Sequence, residues 1–170
     1  ENSAQFNLRL DHAFGPKNHF FSRYSFIDDF DFDPFTSKKV NVPGFGTNTL
    51  DKGLNLVISD THVISPRMLN DFRFGFNRLR REVFPQNQGR SVLGDLGITG
   101  LDVPARDQGF PSLVLAGYEQ LGDDPNLPLA RVTSTYHFSE SVSLHQGPHF
   151  LKGGFEFRHY RQDGFNDLFG

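Results

Sequence analysis

Residues 70–79 read NDFRFGFNRL, and this stretch decides the fold. Phe72, Phe74 and Phe76 alternate with Asp71, Arg73, Gly75 and Asn77. That period of two puts the rings on one face of a β-strand and the polar groups on the other. A helix would scatter both sets around its axis. The same alternation returns at 5–14, QFNLRLDHAF, where Phe6, Leu8, Leu10 and Phe14 oppose Asn7, Arg9, Asp11 and Ala13. It returns again at 150–160, FLKGGFEFRHY, where Leu151, Phe155 and Phe157 oppose Lys152, Glu156 and Arg158.

Further strands follow from weaker alternation. Residues 19–28 set Phe20, Tyr24 and Phe26 against Arg23 and Ser25. Residues 53–63 set Leu54, Leu56 and Ile58 on one side. Residues 130–144 set Val132, Tyr136, Phe138, Val142 and Leu144 against Arg131, Thr133, Thr135 and His137. The expectation is about six strands, near 5–14, 19–28, 53–63, 70–80, 130–144 and 150–161. Several approach the ~9–11 residues that cross a bilayer at a tilt, beyond the ~5–6 usual in globular sheets.

The connections alternate in length. Gly15-Pro16-Lys17-Asn18, the stretch Ile64–Leu69, and Gln146-Gly147-Pro148-His149 are short and rich in turn residues. The links near 29–52 and 81–129 are long. Long structureless links are unusual in a compact soluble domain, whereas short turns on one side and long loops on the other mark outer-membrane barrels. The expected fold is therefore all-β, an antiparallel up-and-down meander forming part of a larger transmembrane β-barrel. Residues 1–170 are read as a single partial barrel domain, with short turns periplasmic and long loops extracellular.

Composition fits that reading. The 170 residues include 20 Phe, 4 Tyr, no Trp and 1 Met, while mean hydropathy is −0.45. Many large rings in a chain that is polar on average suit a sheet with one apolar and one wet face. A formal net charge of −3 gives no footprint for nucleic acid. Zero cysteines exclude disulfides and thiolate metal sites. No apolar run reaches the length of a transmembrane helix, no signal peptide opens the chain, and six strands are too few to close, so the chain reads as an excerpt of a longer protein.

In hydrocarbon every backbone polar group must be paired within the protein, so strands cross only in a closed sheet. The expected lipid-facing residues are Phe6, Leu8, Leu10, Tyr24, Phe26, Phe72, Phe74, Phe76, Tyr136, Phe138, Phe155 and Phe157. The expected lumen-facing residues are Arg9, Asp11, Arg23, Asp71, Arg73, Lys152, Glu156 and Arg158.

Other constellations read more plainly. Asp28, Asp29, Asp31 and Asp33 could offer oxygen ligands to Ca²⁺ in the first long loop, but the run lacks the glycine and distal glutamate of an EF-hand, and a solvated loop is the better reading. The histidines 12, 19, 62, 137, 145, 149 and 159 form no HExxH and are read as interfacial or turn residues. Glycines 44, 46, 94, 97 and 100 lack a strand–helix context for phosphate and are read as suppliers of turn dihedrals. No nucleophile elbow or placed carboxylate pair is present, so no catalytic residue, cofactor or metal is expected, and no enzyme.

QFNLRLDHAFGPKNHFFSRYSF resembles the opening barrel hairpin of Oar-like TonB-dependent receptors. THVISPRMLNDFRFGFNR and HFLKGGFEFRHYR resemble the next hairpin and a later strand in the same order. LGITGL and QGFPSLVLAGYEQLGD are similar to the family's long loops. The resemblance covers nearly the whole chain. It implies an outer-membrane location in a Gram-negative-type cell, and import of an unidentified substrate energised through TonB by an upstream segment. It also implies a plug and further barrel as partners beside outer-membrane lipid. The alternative reading is a soluble secreted β-sandwich binding module, with carbohydrate as a candidate ligand, which requires more and shorter strands in two packed sheets.

Overall fold

The computed structural model describes residues 1–35 and 42–166. They form six strands: β1 (Asn2–Ala13), β2 (Asn18–Asp33), β3 (Thr47–Ser65), β4 (Met68–Pro85), β5 (Leu129–Gln146) and β6 (His149–Asn166). One short helix, α1 (Val92–Asp95), lies between β4 and β5. The strands make a single antiparallel sheet in the order β1-β2-β3-β4-β5-β6. The fold is therefore the all-β meander expected from the alternation. A second packed sheet, which a sandwich needs, does not occur among the described residues.

The short connections are as tight as their composition dictates. Only Pro66 and Arg67 separate β3 from β4, and only Gly147 and Pro148 separate β5 from β6. Gly147 adopts φ +59° and Gly15 φ +99°, a left-handed backbone that costs glycine least. Adjacent hairpins are stitched at this end, where Val63 N–H donates to Lys17 O at 2.7 Å and His145 N–H to Arg67 O at 2.8 Å.

At the opposite end the strands outrun their expected bounds. β2 continues to Asp33 and β3 begins at Thr47, so both ends of the expected loop 29–52 are strand, paired from Asp29↔Asp51 to Asp33↔Thr47. Residues 36–41, inside that expected loop, lie outside the described residues. The reason for the difference is that Phe30 and Phe32 keep period two through the acids, and alternation carries the ladder however many charges it includes. β4 likewise extends to Pro85 and β6 to Asn166. Strands of 16–19 residues in β2–β6 exceed the ~9–11 that span a bilayer. Because the apolar band lies toward the short turns, the surplus projects on the loop side.

Candidate functional site

Residues directly opposite each other in an antiparallel ladder share a face. Following the pairings across all strands therefore sorts every side chain. One row reads Leu10, Ser22, Ile58, Phe74, Phe138, Phe157, and the next reads Leu8, Tyr24, Leu56, Phe76, Tyr136, His159. Flanking rows add Phe6 with Phe26, and Phe72 with Phe155. All the residues expected to face lipid lie on this one face. Their rings pack across strands, with centroids 5.2 Å apart for Phe72–Phe138, 4.9 Å for Phe76–Tyr136 and 5.2 Å for Phe138–Phe155. Even so, Phe6 is 54% exposed and Phe157 58%. A continuous apolar surface of this kind needs a non-aqueous neighbour.

The apolar band runs obliquely to the rows. On β1 it spans Phe6–Leu10, while on β6 it spans Leu151–Phe157. Phe157 pairs into the row of Leu10, so the loop-side margin slips by two rows between β1 and β6. The turn-side margin slips by three, from the row of Leu10 to that of Met68, Leu144 and Leu151. With ~3.3 Å per residue and ~4.8 Å between strands, a slip of about four to six residues over five strand steps means a tilt of roughly 30–40°. Membrane barrels tilt their strands by ~35–45°. On β4 the band lies between Asn70 and Arg78, about 26 Å along the strand and about 20 Å along the normal at that tilt, close to the ~25 Å of known barrels.

The other face holds every residue expected to face the lumen. One row is Arg9, Arg23, Val57, Gly75, His137, Arg158 and its neighbour is Asp11, Phe21, Ser59, Arg73, Ser139, Glu156. Asp71 and Lys152 stand just turnward. Arg9 pairs with Asp11 at 2.6 Å and lies 4.7 Å over the Phe21 ring. Glu156 accepts from Arg158 at 3.1 Å, and His137 Nε2 lies 3.0 Å from it without forming a hydrogen bond. A concavity of about 460 Å³ runs along Asp71, Arg73, Lys152 and Glu156. The next row loopward, Asn7, Ser25, Asn55, Asn77, Thr135 and Tyr160, has amides and hydroxyls and no charge. Phe21, Ile27, Val57 and Leu79 interrupt this face, so it is wet and mixed.

The long connection 86–128 is folded, not structureless. Asn87, 6% exposed, donates to Gly44 O at 2.8 Å and to Asp123 Oδ1 at 2.9 Å. Asp123, 7% exposed, also receives the Phe110 N–H on Oδ2 at 2.8 Å. Phe110 stacks edge-on against Phe45 with centroids 5.1 Å apart. The two loop regions are thereby latched together. Burial pushes the Asp123 carboxyl above the ordinary carboxylate range, against the Asn87 and Phe110 hydrogen bonds and nearby Arg90. Beside this latch lies a cavity of about 560 Å³ lined by groups as different as Arg90, Leu93, Leu101, Asp107 and Phe110.

The acidic run divides between faces, which corrects the loop reading. Asp28 shares the apolar face and pairs with Lys52 at 2.9 Å, whereas Asp29, Asp31 and Asp33 take the opposite face. Among the described residues no group of three or more His, Asp or Glu could hold a metal ion. Gly44, Gly97 and Gly100 have positive φ, but Gly46 and Gly94 do not. Gly46 is needed for space instead, since a Cβ there would meet Asp33 O at 2.8 Å. His12 and His62 sit near the turn end on the apolar face, and His145 and His149 flank the last turn; His137 does not fit the interfacial reading, because it points to Glu156 on the polar face.

Sequence reasoning missed two groups on the apolar face. Toward the turns, Glu140 accepts from Asn70, and Asn18 donates to Asp60 at 3.4 Å. Toward the loops stand Lys52, Arg78, Arg80 and Arg161. Parity could have found both, since Arg78 has the same parity as Phe74 and Phe76. A family model described as an outer membrane beta barrel domain matches residues 1–170. No curated protein and no solved structure matches the chain.

Proposed function

The chain belongs to the outer membrane beta barrel domain family, and on that premise we propose that its sheet is a wall segment of a TonB-dependent receptor-type transporter. It is located in the outer membrane, in contact with its lipid. The observation that carries the wall reading is that a band of Phe, Tyr, Leu and Ile crosses all six strands on one face while Arg9, Arg23, Arg73, Glu156 and Arg158 lie on the other. The phenylalanine face meets lipid, and the arginine- and carboxylate-bearing face meets the lumen. β1 and β6 each have one neighbour among the described residues, and the remaining strands of the barrel pair there.

The wall is non-catalytic in this reading. Its charged rows hold a plug or line a substrate path, the short turns are periplasmic, and the latched loops are extracellular. The resemblance of the hairpin motifs to Oar-like receptors supports the transporter assignment. Cysteine crosslinking of the full-length protein to TonB in living cells tests it. Crosslinks at an upstream segment are expected. A folded, membrane-inserted protein that never crosslinks to TonB would refute the energised-receptor part and leave the wall intact.

A further inference from the structure

The two margins of the apolar face differ in charge. On the turn side, the last rows carry Asn18, His62 and Asn70, then His12, Asp60 and Glu140, with no lysine or arginine. Lys17 and Arg67 belong to the turns beyond. On the loop side, one row holds Arg78, Ser134 and Arg161, and the next holds Lys52 and Arg80 together with Asp28 and Asp163. These cations point the same way as the phenylalanines and stand immediately past them.

Among the described residues, their surroundings leave one of them, Arg78, without a carboxylate. Lys52, Arg80 and Arg161 each touch one carboxylate, Asp28, Glu82 and Asp163 respectively. Arg78 has no ion-pair partner among the described residues. Lys52 lies directly opposite Arg80, and the repulsion between them is relieved by Asp28 beside Lys52 and Glu82 beside Arg80. Ser134, small and only 6% exposed, stands between Arg78 and Arg161 in the same row, so the two arginines are separated by one small, covered side chain. The side chains of Lys52, Arg80 and Arg161 are 50%, 55% and 68% exposed, free to meet a group arriving in the membrane plane.

We propose that this margin binds the phosphate headgroup of an anionic membrane lipid, with Arg78 and Arg161 closing on the phosphate from either side of Ser134. Guanidinium forks match phosphate oxygens in pairs. The acyl chains lie along Phe76, Tyr136 and Phe157, which continue the same face turnward. Lys52 and Arg80 attract a second anion or strengthen the first contact. The inference rests on the lipid-facing assignment above.

The test uses the full-length protein in nonionic detergent, titrated with dioctanoyl phosphatidic acid and, in parallel, dioctanoylglycerol, with native mass spectrometry reading the bound fraction. Phosphatidic acid should be retained and dioctanoylglycerol should not. The double variant R78Q/R161Q should bind phosphatidic acid about thirtyfold more weakly, roughly fivefold per arginine. R131Q, on the opposite face, should bind as the parent does. Equal retention by R78Q/R161Q would overturn the proposal, as would equal retention of the phosphate-free lipid. So would competition by inorganic phosphate at the affinity of the lipid, which would make this a free-anion site. Spin labels at positions 73 and 74 check the facing separately. A lipid-accessible label at 73 and a shielded one at 74 would sink the facing assignment itself, whereas the reverse pattern with no phosphate preference would sink the lipid site alone.

Discussion

Replacing Phe74 by arginine probes the sidedness of the sheet at its most sensitive point. Phe74 sits midway between Asn70 and Arg78, the polar residues that bound the band on β4. Four residues of strand, about 13 Å, separate it from either, or about 10 Å along the normal at the tilt worked out above. An arginine there cannot bring its charge to a headgroup without deforming the sheet or the bilayer. Its cost should lie in the upper part of the ~2–4 kcal/mol found for Arg at the midplane of a barrel's lipid face. The adjacent Arg73 points the other way, opposite Ser59 and Ser139, with no ion pair among the described residues. Its replacement by alanine should cost within about 0.5 kcal/mol, the ordinary range for a surface change. The assay is reversible urea unfolding of the full-length barrel in phospholipid vesicles. A gap of about 2 kcal/mol or more between F74R and R73A is expected, about a thirtyfold ratio of folding constants. Equal costs, or a larger cost for R73A, would refute the assignment of faces.

In the loop latch, Asp123→Ala should loosen residues 86–128 by about 1–3 kcal/mol, because the Asn87 amide and the Phe110 N–H lose a buried acceptor; Asp123→Asn should cost less, and hydrogen exchange at Phe110 reads the difference. Since burial raises the Asp123 pKa in the folded loop, the protonated form is favoured on folding. The latch should therefore hold best below the ordinary carboxylate pKa and weaken as pH rises through the raised value, a trend that Asp123→Asn should abolish in a pH series of the same exchange experiment. On the apolar face, Asn70→Ala should destabilise the barrel by about 1–3 kcal/mol by stripping Glu140 of its donor, and adding Glu140→Leu should restore most of the loss in vesicle unfolding. Gly154→Val should cost more than about 1 kcal/mol by the same measure, since a Cβ there collides with Glu140 O and presses on Ser141 Cα at 2.9 Å.

What could be read from the residues alone was whatever depends on parity. Phe72, Phe74 and Phe76 against Asp71 and Arg73 set a face, and a register slip of one residue would reverse it, so the pattern leaves little freedom. The same rule applied to Arg78 or Glu140, which the alternation of 70–79 and 130–144 left unassigned, places them beside the phenylalanines. Strand ends were harder. Asp28–Asp33 looks like a loop by composition, and only pairing with residues 47–52 makes it strand. The latch was illegible for a different reason. Asn87, Asp123 and Gly44 meet from three distant places in the chain, and neither propensity nor period marks such a junction.

The meander has a consequence for how the wall is assembled. Every strand pairs with its predecessor in the chain, so the sheet can lengthen one hairpin at a time, each new strand finding its template already in place. Most joins cost little chain entropy. The exception is β4 to β5, where residues 86–128 must be drawn together before pairing begins. Against the connection of residues 34–46 between β2 and β3, this closure costs about 1 kcal/mol more. A loop that folds early around Asp123 shortens the effective tether and brings Leu129 toward Val83. A latch formed before β5 pairs would therefore ease the one costly closure in the joining of the second half of the wall to the first.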